Sequence, residues 1–186
     1  MWYDENGEIL PPIIFHHPFT CIIAGPTQSG KTVFVSKMLE NCFTYIDPSP
    51  TRIIWAYGIK NVKQMEWLQQ VSPIKIDFIE GIPNIEEIVD ENETNLLILD
   101  DLMSSAGKSS TVQDIFTRAS HHRNLSVILI MQNIFHKGTH MRDIRVNTTY
   151  TVIMKNKNDG RQILSLAQQY SPRDPNFVLD AYDKAT

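Results

Sequence analysis

The sequence predicts a three-layer α/β domain built on a mostly parallel central sheet. Three observations lead there. The strand-length apolar runs are continuous rather than alternating, as expected of strands covered on both faces. They alternate regularly with segments of helical periodicity. The first of them runs directly into a glycine-rich loop and an amphipathic helix. The 186 residues are enough for one domain with a substantial core, and 42% hydrophobic with 20% charged residues is an ordinary globular composition.

The elements follow in order. Residues 1–18 form a Pro-rich, extended lead-in (PPIIFHHP). FTCIIA (19–24) is a buried strand. Residues 31–42 are helical, with Phe34, Val35, Met38, Leu39 and Cys42 on one face. DPSP (47–50) breaks the chain before RIIWAY (52–57), a second strand. A helix over 61–70 turns Val62, Met65 and Leu68 inward, and IKIDFI (74–79) is a third strand. Asn84 caps a short helix reaching Val89. NLLILDD (95–101) is a fourth strand. Ser110 with Gln113 makes a capping-box pattern ahead of a helix carrying Val112, Ile115, Phe116 and Ala119. LSVILIMQN (125–133) and YTVIMK (150–155) are the fifth and sixth strands. Asp159 caps a helix to Tyr170, which SPRDP (171–175) stops. The expected division is a lead-in over 1–18, a domain over 19–171 and a tail over 172–186, where Phe177, Val178 and Tyr182 can pack on the domain or dock a neighbour.

Bulk properties narrow the function. The longest apolar run, VILIM at 127–131, fits a strand and is far short of a membrane span, so no membrane insertion is expected. The acidic start MWYDENGEIL lacks the basic-then-apolar pattern of a secretory signal. Cys21 and Cys42 have no Cys or His at metal-ligand spacing and read as reduced, buried thiols of an intracellular protein. Net charge is −4, but residues 1–101 carry 6 Lys/Arg against 15 Asp/Glu, whereas residues 102–186 carry 11 against 6. That disfavours sequence-independent coating of DNA and leaves room for one basic face or pore.

The chemistry concentrates in a few positions. GPTQSGKT, comprising Gly25, Pro26, Thr27, Gln28, Ser29, Gly30, Lys31 and Thr32, matches the Walker A pattern between strand and helix. Gly25 and Gly30 permit a tight turn and close approach to a ligand. The loop amides and helix N-terminus cradle phosphate. Lys31 reaches the β- and γ-phosphates of ATP, and Thr32 offers its hydroxyl to Mg2+. About 70 residues on, LLILDD ends a strand on Asp100, positioned for the Walker B role toward magnesium, and on Asp101, positioned to polarise the attacking water. Gln132, just past the fifth strand, can sense the γ-phosphate, and Asn133 can substitute for it. An arginine supplied by a neighbouring subunit would stabilise transition-state charge; the candidates are Arg123, then Arg118, with Arg142, Arg145 and Arg161 further on. Adjacent histidines point to opposite sides of an extended segment, so His16–His17 and His121–His122 read as structural or surface residues.

HPFTCIIAGPTQSGKTVFVSKML, LLILDD and ASHHRNLSVILIMQNIF together resemble the DNA-packaging ATPases of large eukaryotic DNA viruses and related elements, including the poxvirus type and those of Polinton/Maverick, adintovirus-like and virophage elements. These belong to the FtsK/HerA superfamily of P-loop motors, and the resemblance spans about residues 17–170. It implies an ASCE, RecA-like P-loop NTPase in which the fifth strand lies between the P-loop strand and the Walker B strand. It implies that Lys31 and Thr32 bind Mg·ATP, that Asp100 coordinates magnesium, that Asp101 is the catalytic acid, and that Gln132 couples nucleotide state to motion. The family often carries Glu where this chain has Asp101, whose reach is shorter. The implied partners are double-stranded DNA, further copies in a homo-oligomeric ring, and capsid or portal-like proteins, in a virus-infected host cell or virion. The basic stretch Lys137–Arg161, and first the HKGTHMR loop (136–142), is the expected DNA-facing region.

Two other classes compete. NKND (156–159) matches a guanine-reading pattern of a GTP-binding switch, although no Gly follows Asp100 at Asp-x-x-Gly spacing. A small P-loop kinase shares the loop and the sheet, but no compact Arg-rich lid is present, the nearest candidate being the loop at Lys108. A conjugation or segregation motor of the same superfamily usually carries additional domains.

Overall fold

The computed structural model describes residues 2–3, 9–10, 13–102, 110–119, 124–135, 140–156 and 160–186. The chain begins with the short strands β1 (Trp2–Tyr3), β2 (Ile9–Leu10) and β3 (Phe15–His16). Then come β4 (Thr20–Ala24), α1 (Lys31–Glu40), α2 (Cys42–Tyr45), β5 (Ile46–Asp47) and β6 (Arg52–Tyr57). The middle holds α3 (Val62–Val71), β7 (Ile76–Glu80), α4 (Ile85–Ile88) and β8 (Asn95–Asp100). Next is α5 (Ser110–Asp114), which widens into a π-helical turn over Ile115–Ala119, then β9 (Leu125–Met131), α6 (Met141–Val146) and β10 (Tyr150–Ile153). Helices α7 (Gly160–Tyr170) and α8 (Pro175–Ala185) close the chain.

Six strands pair in parallel in the order β10-β4-β9-β8-β6-β7. The fifth predicted strand, β9, therefore lies between the P-loop strand β4 and the aspartate strand β8, as the resemblance implies. The apolar runs now have a physical reason. Period-two alternation sends Ile22, Ile54, Ala56, Leu97, Leu99, Val127 and Leu129 into one layer with Phe116, Ile144 and Leu166. The intervening Cys21, Ile23, Ile53, Trp55, Leu96, Ile98, Ile128 and Ile130 pack in the other layer with Val35, Leu39 and Leu68. Neither face meets water, so neither set of positions is polar.

Local chemistry moves several boundaries. The helix expected over 31–42 is two helices, because Asn41 turns its side-chain amide back to the Lys37 carbonyl, 3.0 Å, and ends α1. Strand β7 starts at Ile76 rather than Ile74, because Pro73 follows Ser72, whose hydroxyl donates to Ile74 O, 2.7 Å, and holds a turn there. Ser110 lies within α5 rather than capping it. Asp159 lies outside the described residues. The lead-in pairs with itself through β1 and β2 and with the body through β3 and β5. Residues 175–185, which the sequence reading puts in a tail, form α8. The same SPRDP that stops α7 starts it, with Pro175 in the first turn and Asp174 accepting from Phe177 N, 3.2 Å. Phe177 stays exposed, while the Tyr182 hydroxyl accepts from Asn156 N, 2.7 Å, and donates to Met154 O, 3.2 Å.

The amino ends of β8 and β9 are knotted together. Buried Asn95 donates its side-chain amide to Asp90 O, Glu93 O and Asn124 O. Asn124, at φ 49°, donates to Glu93 O and takes the His17 ring on its Oδ1, 2.7 Å. The other ring nitrogen meets Ser126 Oγ, which itself accepts from Phe19 N. A neutral imidazole that donates to Asn124 and accepts from Ser126 fits this set, and burial lowers the His17 pKa from its ordinary value.

Two outcomes follow. Leu97→Ala, at a fully buried position, lowers unfolding free energy by about 2–5 kcal/mol in chemical denaturation. The unfolded chain protonates His17 first as pH drops, so its stabilising contribution is complete above about pH 6.5 and is lost below it. Between pH 7 and 5.5 wild type therefore loses more stability than His17→Gln; equal losses would show that His17 has no such depressed pKa.

Candidate active site

Parallel strands deliver their carboxyl ends to one edge of a sheet, and here four of them surround a cleft of about 330 Å³. After β4 the chain turns sharply: Gly25 N donates to Met131 O, 3.2 Å, and Ser29 N to Pro26 O, 3.2 Å. Gln28 and Gly30 take left-handed backbone, φ 64° and 91°, and Gly30 caps α1. Space rather than φ dictates Gly25. A Cβ there would lie 2.6 Å from Met154 Cβ on the neighbouring strand and 2.8 Å from Ser29 Oγ. Ser29 Oγ is itself buried without a hydrogen-bond partner among the described residues.

Lys31 opens α1, and its ammonium curls over the loop to donate to Gly25 O, 2.7 Å, and Pro26 O, 2.8 Å. Burial lowers its pKa, and the Asp100 and Asp101 carboxylates oppose that shift. Thr32 lines the same wall. Across the cleft, Asp100 ends β8 as a half-buried carboxylate whose pKa burial raises. Gln64 Nε2 donates to its Oδ2, 3.2 Å, and the Trp55 side chain also bonds it; both lower that pKa, while Asp101 adds to the rise. Asp101 is exposed, at φ 53°. Gly58 fixes its backbone: Gly58 N donates to Asp100 O, 3.0 Å, and a Cβ on Gly58 would stand 2.5 Å from Asp101 O.

Gln132 follows β9 into the cleft. Asn133 turns its Oδ1 to Phe135 N, 2.7 Å, in a local turn, and does not line the cleft. The structure thus brings together Thr27, Gln28, Lys31, Thr32, Asp100, Asp101 and Gln132. Sequence reading missed Trp55, Gly58, Asn61 and Gln64 around it. A strand end followed by Gly, at Tyr57–Gly58, is the one signal that pointed to this segment.

Arg123 lies outside the described residues, as do His121 and His122, and so does the side chain of Arg118. In the basic stretch, Lys137 and Lys157 are outside the described residues, whereas Arg142 and Arg161 are exposed. Arg145 stacks on Phe135, 5.1 Å from the ring centroid, and Lys155 donates to Thr186 O. Of the guanine-reading pattern, only Asn156 is described. Among the described residues there is no His/Cys/Asp/Glu metal cluster and no helix long and apolar enough to cross a membrane.

The donor set suits a hard divalent cation. A hydroxyl at Thr32 and a carboxylate at Asp100 are oxygen ligands of the kind magnesium takes. Two adjacent carboxylates, one of them half-buried, favour a cation between them and an incoming anion.

Comparison with solved structures gives the fold a wider setting. The genome packaging NTPase B204 from Sulfolobus turreted icosahedral virus 2, in complex with ATP-gammaS, is similar over 87% of this chain and 86% of its own, with TM-score 0.55 and 13% identity. The flagellar accessory protein FlaH from Methanocaldococcus jannaschii is similar over 74% of this chain and 71% of its own, with TM-score 0.51 and 11% identity. Comparison with curated protein sequences finds no match. The family model described as poxvirus A32 protein matches residues 13–169. On that match, which spans the whole sheet and its glycine-rich loop, this P-loop NTPase-fold chain belongs to the poxvirus A32 protein family.

Proposed function

We propose that the protein is a magnesium-dependent ATPase that drives double-stranded DNA into viral capsids. The observation that carries this reading is the convergence of the Gly25–Thr32 loop, the Asp100–Asp101 pair and Gln132 on one cleft. Membership of the poxvirus A32 family and the likeness to a genome packaging NTPase support it.

In this reading the Gly25–Thr32 loop is a Walker A cradle. Its amides and the amino end of α1 hold the phosphates. Lys31 exchanges its two loop carbonyls for charged phosphate oxygens, which are stronger acceptors. Thr32 and Asp100, the Walker B acid, hold Mg2+, which supplies charge neutralisation at the β- and γ-phosphates. Asp101 accepts a proton from the attacking water, and Gln132 orients that water and reports the γ-phosphate to the rest of the chain. Arg123 acts in trans, serving the cleft of the next subunit in a ring of the FtsK/HerA type. The exposed Arg142 and Arg161 contribute to a DNA-facing surface. Capsid or portal-like proteins complete the machine in an infected cell or virion.

The test is hydrolysis of ATP and GTP by the purified protein, with and without double-stranded DNA, beside Lys31→Ala. ATP-preferring turnover that rises with DNA and disappears in the variant is expected. GTP preference, or phosphate transfer to a small acceptor without a DNA response, overturns the motor reading. Gly58→Ala forces a Cβ onto the Asp101 carbonyl. It is expected to cut kcat at least tenfold with little change in KM, because the nucleotide cradle is untouched while the water-activating acid is displaced. Unchanged kcat in this variant excludes Asp101 geometry as rate-determining.

A further inference from the structure

Asp100 is held by two neutral donors that come from outside both motifs, and their placement is fixed by the fold. Trp55 stands opposite Ile98 in the β6–β8 register, so Asp100, two residues on, lies diagonal to it. Period two puts all three side chains on the same face of the sheet, within reach of a long aromatic. Trp55 is 1% exposed, and its side chain comes close enough to Asp100 to favour the charged carboxylate. Gln64 approaches from α3. Asn61 caps that helix by accepting from Gln64 N, 3.2 Å, and Leu68, one turn on, is fully buried. The backbone beneath Gln64 is therefore pinned at both ends of the turn, and its amide reaches Asp100 Oδ2 at 3.2 Å.

Neutral donors do something here that a cation would not. An Arg or Lys at position 64 would orient the carboxylate but cancel its charge. An amide and an indole restrain its rotation and leave the negative charge available to a divalent ion. Building on the reading of Asp100 as a magnesium ligand, we propose that Gln64 and Trp55 are positioning residues that preset the Asp100 carboxylate for the metal of the nucleotide complex. A polar residue on a solvent-facing helix would ordinarily need no such account. What sets Gln64 apart is that its side chain lines the cleft and bonds the acid there.

The decisive variant is Gln64→Met, which keeps the side-chain length and its packing on α3 but removes the donor. MgCl2 is titrated into protein mixed with a fluorescent, non-hydrolysable ATP analogue, and binding is followed by polarisation. Wild type is expected to bind the analogue more tightly as Mg2+ rises. In Gln64→Met the Mg2+ midpoint moves up by about 10- to 100-fold, while binding in EDTA is unchanged. Trp55→Phe moves it in the same direction, and Gln64→Asn, which keeps an amide on a shorter arm, recovers part of the shift. Circular dichroism and thermal melts establish that each variant is folded. A wild-type midpoint in both Gln64→Met and Trp55→Phe overturns the proposal. Asp100→Asn separates this from failure of the parent reading. If Asp100→Asn abolishes the Mg2+ effect and Gln64→Met does not alter it, only the positioning role falls. If wild type shows no Mg2+ effect, or Asp100→Asn retains it, the magnesium reading of Asp100 falls and this proposal with it.

Discussion

The parallel register of β4, β9 and β8 is the constraint on which the site rests. Ala24 pairs with Met131 and Ile130 with Asp100, so the residues that follow, Gly25, Gln132 and Asp101, emerge at one level of the sheet. A slip of one residue in any of these strands would turn every side chain to the opposite layer. It would send Ile98 and Asp100 away from Trp55 and bury the acid among Phe116 and Leu166. Burial on both faces makes such a slip costly, since each layer is filled by side chains matched to that face. The hydrophobic interior thus does positional work for the polar groups at the strand ends.

The second constraint is electrostatic. Lys31, Asp100 and Asp101 share a cleft in which burial disfavours charge on Lys31 and Asp100 alike. Lys31 and Asp100 are each partly compensated by groups whose position the backbone dictates: loop carbonyls for Lys31, and chiefly the Gln64 amide for Asp100. Such an arrangement is preorganised, so on the proposed reading little reorganisation is required when nucleotide and metal arrive together.

Much of this was legible in the sequence, for identifiable reasons. The six sheet strands were readable because strands buried on both faces are written as uninterrupted apolar runs, RIIWAY and VILIM being the clearest. Lys31 and the aspartates were readable because a phosphate loop and a strand-end acid are local patterns. Gln64 and Gly58 were not, because their significance lies in what they meet across the sheet, 36 and 43 residues further along the chain. Helix α8 was missed because Pro-Arg-Asp-Pro was read only as a terminator, although Asp174 and Pro175 equally make a helix start. The break between α1 and α2 depends on Asn41 choosing a backbone carbonyl over solvent, which periodicity does not record.

The left-handed backbone at Asp101 bears on which acid the position accommodates. At φ 53° the strain is least for Gly, Asn and Asp, whose short polar side chains tolerate this region, and greater for Glu. The shorter acid is therefore the one this turn admits, and the Gly58 N–H bonded to Asp100 O holds the turn in place. The same argument makes asparagine a near-silent replacement for the backbone while removing the carboxylate. If Asp101 takes the proton from water, as proposed, Asp101→Asn is the choice for arresting the protein with its nucleotide bound, a handle for structural work that leaves the fold around it undisturbed.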